Sequence, residues 1–185
     1  MAELLLKDGS KKQFSDGISL AQAVKELSNS LAKKVLVARV NGEVTDLRET
    51  IVDGSTVEFF TFADQEGKDT LRHTASHIMA QAIQHLYPGV KFAIGPSIEN
   101  GFYYDLDTEH RFTQDDFGAI EAEMAKIVKE NLPITKEILS RADALKMFKD
   151  AGQDYKVELI QDLPEDAVIS VYRQGDFYDL CAGPH

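Results

Sequence analysis

The chain is short of three things: cysteine, long apolar runs and positive charge. Its one cysteine, Cys181, cannot form an internal disulfide, which fits a reducing compartment and leaves the thiol available for other chemistry. The opening MAELLLKDGS reaches charge after three leucines, so it is neither a secretory signal nor a span, which needs about 18 or more apolar residues. No other stretch comes near that length, and a cytoplasmic protein without membrane partners is expected. Lys and Arg number 20 against 31 Asp and Glu, for a net charge of −11. That excludes a protein that holds nucleic acid mainly by unspecific attraction to phosphates, because that mode needs a basic face. The deficit is uneven: residues 1–63 carry 8 basic and 9 acidic side chains, and residues 64–185 carry 12 and 22. Any polynucleotide must therefore be gripped locally. Internal repeats and low-complexity tracts are also missing, while 43% hydrophobic content over 185 residues suffices for one medium core or two small ones.

Two modules are legible. In the first, ELLLKDGSKKQF reads as a hairpin about Asp8-Gly9. Ser19, with Gln22 three residues on, caps a helix whose Leu20, Val24, Leu27 and Leu31 recur at helical spacing. KVLVARVNG and STVEFFT are strands bounded by turns at Asn41-Gly42 and Asp53-Gly54. Sixty residues of this kind make a small α+β roll. The polar ADQEGKD, residues 63–69, is expected to join it to the next unit, giving domains at 1–63 and 64–185.

From Thr70 the pattern becomes helical, with Leu71, Ala75, Ile78, Met79, Ala82 and Leu86 on one face, His73 and His77 roughly opposite, and Pro88-Gly89 as the stop. A hairpin at Asn100-Gly101 follows. A helix capped by Thr113 then places Phe117, Ile120, Met124, Ile127 and Val128 on one face. Another short helix runs over 140–148, the segment 155–160 fits helix or strand, and a closing strand turned by Gly175 delivers Cys181.

HTASH sets His73 and His77 four residues apart, and CAGPH repeats the interval with Cys181 and His185. Histidines at i and i+4 project side by side and can hold one small object. The four together have the composition of a tetrahedral zinc site, or of a polar catalytic pocket of the same shape. Each pair alone has a plainer reading, as solvated surface or as a small hydrophobe at a strand end. A zincin is disfavoured, since Thr74 stands where HExxH needs its glutamate. His85 at the stripe edge and His110 in a charged loop receive no role.

LRHTASHIMAQAIQHLYPGVKFAIGPSIENGFYYDLD, followed by YKVELI and DLCAGPH, resembles the N-terminal half of bacterial-type threonyl-tRNA synthetases across the whole chain. The resemblance implies an α+β protein: a small β-grasp TGS domain over 1–63, then a larger editing domain over 64–185 with a mainly antiparallel sheet and a helix bearing HxxxH. It implies hydrolysis of serine wrongly attached to threonine tRNA, whose charged 3′ end is the partner. The need is physical: serine lacks one methyl, worth about 1–3 kcal/mol of discrimination, too little for accurate translation. By motif match, His73, His77, Cys181 and His185 line the pocket, with Lys156 and Asp179 in support. An aminoacyl ester needs a positioned water, a proton acceptor and a stabilised oxyanion. His73 or His77 is the expected relay. Lys156 would stabilise negative charge or bind the terminal adenosine or its phosphate, and Asp179 would orient a histidine or the serine ammonium. Cys181 is wall or nucleophile, the wall being favoured.

No cofactor is expected for editing, and no obligatory metal, although His73, His77, Cys181 and His185 are the candidate ligands should zinc bind. ATP-Mg, zinc and homodimer contacts are expected in a synthetic core outside this chain, which ends where the family's editing domains continue. A basic residue usual after the motif cysteine is replaced by Ala182. The alternatives are a free-standing alanyl-type editing hydrolase with zinc, and a TGS-containing regulatory module.

Overall fold

The structure, a computed structural model, describes residues 2–185. Its mixed α+β content falls into two compact units, residues 2–72 with 183–185 and residues 73–182.

The first unit runs β1 (Ala2–Leu6), β2 (Lys11–Phe14), α1 (Leu20–Leu27), α2 (Asn29–Ala32), β3 (Val35–Val40), β4 (Glu43–Thr45) and β5 (Ser55–Thr61). The five strands form one sheet in the order β2-β1-β5-β3-β4. β1 and β5 pair in parallel and the other neighbours are antiparallel. The expected hairpin and capping box are present: the Ser19 hydroxyl accepts from Gln22 N, while Gln22 Oε1 accepts from Ser19 N. Alternation along β1 and β5 points Leu4 and Val57 inward, where they meet Leu20 and Ala23 of α1.

The polar segment 63–69 is not a linker. α3 spans Gln65–Leu86, and its opening turns stay with the first unit. Asp64 accepts from Thr61 N, Arg39 pairs with Glu66, and a Cβ on Gly67 would sit 2.0 Å from Thr61 O. The glycine that looks like a loop signal permits a close helix–strand approach. The compact units accordingly divide within α3, between Arg72 and His73, instead of at 63/64.

In the second unit α3 continues into β6 (Lys91–Phe92), β7 (Ser97–Ile98), β8 (Gly101–Phe102), β9 (Leu106–Asp107), α4 (Gln114–Glu130), β10 (Ile134–Leu139), α5 (Arg141–Asp150), α6 (Asp154–Asp162), β11 (Ile169–Gln174) and β12 (Phe177–Leu180). β10-β11-β12 make an antiparallel sheet, and two short antiparallel ribbons, β6-β9 and β7-β8, precede it. The segment 155–160 is helical. Its pattern is weak in sequence because Lys156 occupies a buried position one turn before Ile160.

The buried face of α3 differs from the apolar stripe. Leu71 and Leu86 are exposed, whereas Ser76, His77, Ala80, Gln81 and Ile83 are buried. His77 therefore lies on the packed face instead of opposite it. Polar residues on that face have partners for their donors: Ser76 Oγ contacts Gly95 O and Gln81 Nε2 donates to Gln174 O, while Gln81 Oε1 is buried without one. On α4, Ile120 and Ile127 are buried as expected, while Phe117 and Val128 at the margins of the stripe are exposed. Among the described residues no helix is long and apolar enough to cross a membrane.

Candidate active site

Three segments of the second unit bring the candidate residues together. α3 places His73 and His77 one turn apart, their rings edge to face with centroids 5.0 Å apart. β12 ends at Leu180 and hands on Cys181, whose N–H donates to Ser170 O and whose carbonyl accepts from Ser170 Oγ, so β11 fixes the backbone on both sides. Cys181 Sγ then lies 3.3 Å from His73 Nε2. The ligand atoms of His73, His77 and Cys181 all lie within 4.8 Å of one another.

Next to these three side chains is a buried charged floor. α6 supplies Lys156 and β12 supplies Asp179, each 3% exposed, with Lys156 Nζ 2.7 Å from Asp179 Oδ1. Tyr104, buried in the segment between β8 and β9, donates its hydroxyl to Asp179 Oδ2 and accepts from Lys156 Nζ at 3.1 Å. His77 Nε2 stands 3.6 Å from the same Asp179 oxygen. The carboxylate is thus met by an ammonium, a phenol and an imidazole, the satisfaction a buried charge requires.

The electrostatics sort the two halves of the site. Burial, then the neighbouring charges of His73 and Lys156, push the His77 pKa down to about 3, so its ring is neutral at pH 7. Burial also raises the Tyr104 pKa, as does the Asp179 charge it faces, so the phenol keeps its proton. The site holds the neutral His77 ring, edge to face with His73, beside a compensated ion pair. Such a set can position a water, accept its proton and hold the acceptor in one tautomer.

His185 is buried, and its backbone belongs with the first unit: its N–H donates to Asp46 Oδ1 at 2.9 Å and its carbonyl accepts from Arg48 at 3.0 Å. Those bonds hold its main chain in place. Tyr104 carries no role in the sequence reading, although it sits in the NGFYYDLD run on which the resemblance rests. A tyrosine in an aromatic strand reads as core until the fold shows what its hydroxyl touches. His85 packs as an ion-paired residue against Glu123 and Asp176, and His110 is bonded to Asp116 and stacked on Tyr87.

Residues 3–61, which hold the sheet with β1 and β5 in parallel, match the TGS domain family. The match of the whole chain is more specific. It is 57% identical over all 185 residues to a threonine–tRNA ligase of Clostridium novyi, 54% to one of Clostridioides difficile and 55% to one of Finegoldia magna. In each case it spans 29% of the relative's length. The chain thus corresponds, end to end, to the N-terminal part of bacterial threonine–tRNA ligases.

Proposed function

We propose that this chain is the N-terminal region of a threonine–tRNA ligase and that its second unit hydrolyses serine mistakenly esterified to threonine tRNA. The observation that carries this reading is the meeting of His73, His77 and Cys181 above the Lys156–Asp179–Tyr104 network. A histidine takes a proton from the attacking water, and His73, the more open of the pair, is the relay. Asp179, 3.6 Å from His77, orients that ring. Lys156 gives N–H bonds to Asp179 and Tyr104, so it acts by holding the carboxylate and not by gripping phosphate. Cys181 forms a wall that refuses the extra methyl of threonine. His73, 3.3 Å from Cys181 Sγ, serves the water as relay in this reading, so the thiol has no base of its own to activate it. An ester is activated enough for water.

The donors of His73, His77 and Cys181 fit zinc in type and spacing. That fit keeps one second reading in play, an alanyl-type hydrolase with resident zinc. The favoured reading needs no obligatory metal. Under it, ligation with ATP-Mg, its own zinc and the homodimer contacts belong to the rest of the relatives' length.

The deciding experiment compares release of serine from serine-charged threonine tRNA and serine-charged alanine tRNA by the chain and by a His73→Ala/His77→Ala variant. The proposal expects activity on the first substrate and a loss of about 10²–10⁴ in the variant. Undiminished release by the variant refutes the site. Preference for alanine tRNA with stoichiometric zinc, in protein purified without chelators, establishes the second reading instead. Inactivity on both substrates leaves a TGS-type binding module.

A further inference from the structure

Ser76 is fully buried on α3, one turn after Arg72 and between the two site histidines. Its hydroxyl lies 2.7 Å from His73 O and 2.8 Å from Gly95 O. A serine has one proton to donate and both neighbours are acceptors. His73 O lies within the helix, where a main-chain N–H serves it. Gly95 follows β6 outside any regular strand, and among the described residues the Ser76 hydroxyl is the donor that reaches its carbonyl. The bond pins the segment after β6 to the turn of α3 that carries His73.

Gly95 in turn backs Tyr104. A Cβ built on Gly95 would fall 2.3 Å from Tyr104 Cδ2 and 2.5 Å from Cε2, so the ring lies flat against bare backbone. Nearby main-chain bonds, Ala93 N to Asp105 O and Asp105 N to Ile94 O, tie the same two segments together. The position of the Gly95 backbone therefore sets how far the tyrosine ring sits from α3, and so whether its hydroxyl reaches Asp179 and Lys156.

We infer that Ser76 is a positioning residue: through Gly95 it sets the depth of the Tyr104 ring, and thereby the orientation of the Asp179 carboxylate beside His77. This rests on the hydrolase reading and adds a residue that touches no reacting atom. Removing the Ser76 hydroxyl frees the Gly95 carbonyl and lets the Tyr104 ring drift, without removing any group of the site.

The test is a double-mutant cycle on serine release, using the full chain with Ser76→Ala, Tyr104→Phe and both together, and Ser76→Cys as a second, weaker donor of similar size. Ser76→Ala is expected to lower the turnover rate about tenfold with substrate affinity unchanged, the scale of one lost buried hydrogen bond. Ser76→Cys should fall between. In the Tyr104→Phe background, which lacks the hydroxyl to be positioned, Ser76→Ala should change the rate by less than about twofold. A purely structural serine would give the same loss in both backgrounds, and that result overturns the inference while leaving the hydrolase reading intact. A Tyr104→Phe variant as active as wild type overturns it too. A wild-type chain that releases no serine removes the hydrolase reading and this inference with it.

Discussion

Replacing Lys156 with methionine tests the charged floor of the site most directly. The ammonium lies 2.7 Å from Asp179 Oδ1, and both side chains are 3–4% exposed. Methionine fills most of the volume but leaves Asp179 without its counter-charge. Tyr104 still donates one hydrogen bond, while His77, 3.6 Å away, is neutral at pH 7. Breaking a buried pair from one side costs about 3–5 kcal/mol. For a chain of this size about 1 kcal/mol moves the melting temperature by roughly 2–4 °C, so the transition of the second unit should fall by about 6–20 °C. Removing both charges, as Lys156→Met with Asp179→Leu, should restore most of that stability, because a buried pair adds little over well-packed apolar side chains. Calorimetry gives the transition, and hydrogen exchange followed by mass spectrometry shows whether protection is lost in α6 and β12. A single variant within about 1 kcal/mol of wild type, or a double variant as unstable as the single one, refutes the reasoning.

Other outcomes follow from the same geometry. Because burial lowers the His77 pKa from 6.5 to about 3, the unfolded chain binds more protons between those values; stability is complete above about pH 6.5 and declines as pH falls through the window. A His77→Phe variant should show a shallower acid slope in denaturant titrations; an unchanged slope would assign the effect to other groups. His85 has the opposite sign. Its ring nitrogens face Glu123 Oε1 at 3.0 Å and Asp176 Oδ1 at 3.2 Å, and both contacts are hydrogen bonds only when the ring is protonated. Burial opposes that charge, but the bonds to the two carboxylates outweigh it and raise the pKa. Its contribution is full below about pH 6.5 and fades as pH rises through the raised value, which an NMR titration of the His85 ring would follow; a midpoint below the ordinary histidine value contradicts it. Gly67→Ala places a methyl group 2.0 Å from Thr61 O and should destabilise the first unit by at least about 1–3 kcal/mol, measured by urea unfolding; a neutral result would mean the helix start yields. Cys181→Ala should retain serine release and lose discrimination against threonine, whereas complete loss of turnover makes the thiol a nucleophile.

How much was legible can be judged residue by residue. Capping chemistry and strand alternation act over a few residues, so the Ser19 box, the Asp8-Gly9 hairpin and the inward Leu4 and Val57 were readable from local order alone. The pairing of His73 with His77 was readable for the same reason, since helical geometry brings i and i+4 together. What the sequence by itself determined was therefore the locally encoded elements such as the first hairpin and the capped helix, the two histidines as neighbours, and the family likeness carried by its motifs. Tertiary structure alone decided which face of α3 is buried, because burial there follows the partners of Ser76, His77 and Gln81 and not the count of apolar side chains. It alone joined Lys156, Asp179 and Tyr104, which come from three segments far apart in the chain; only chain folding can bring an ammonium, a carboxylate and a phenol within bonding distance, and local pattern carries no record of that distance. Gly67 makes the same point in reverse: its small size serves a contact with Thr61 that exists only once helix and strand have met.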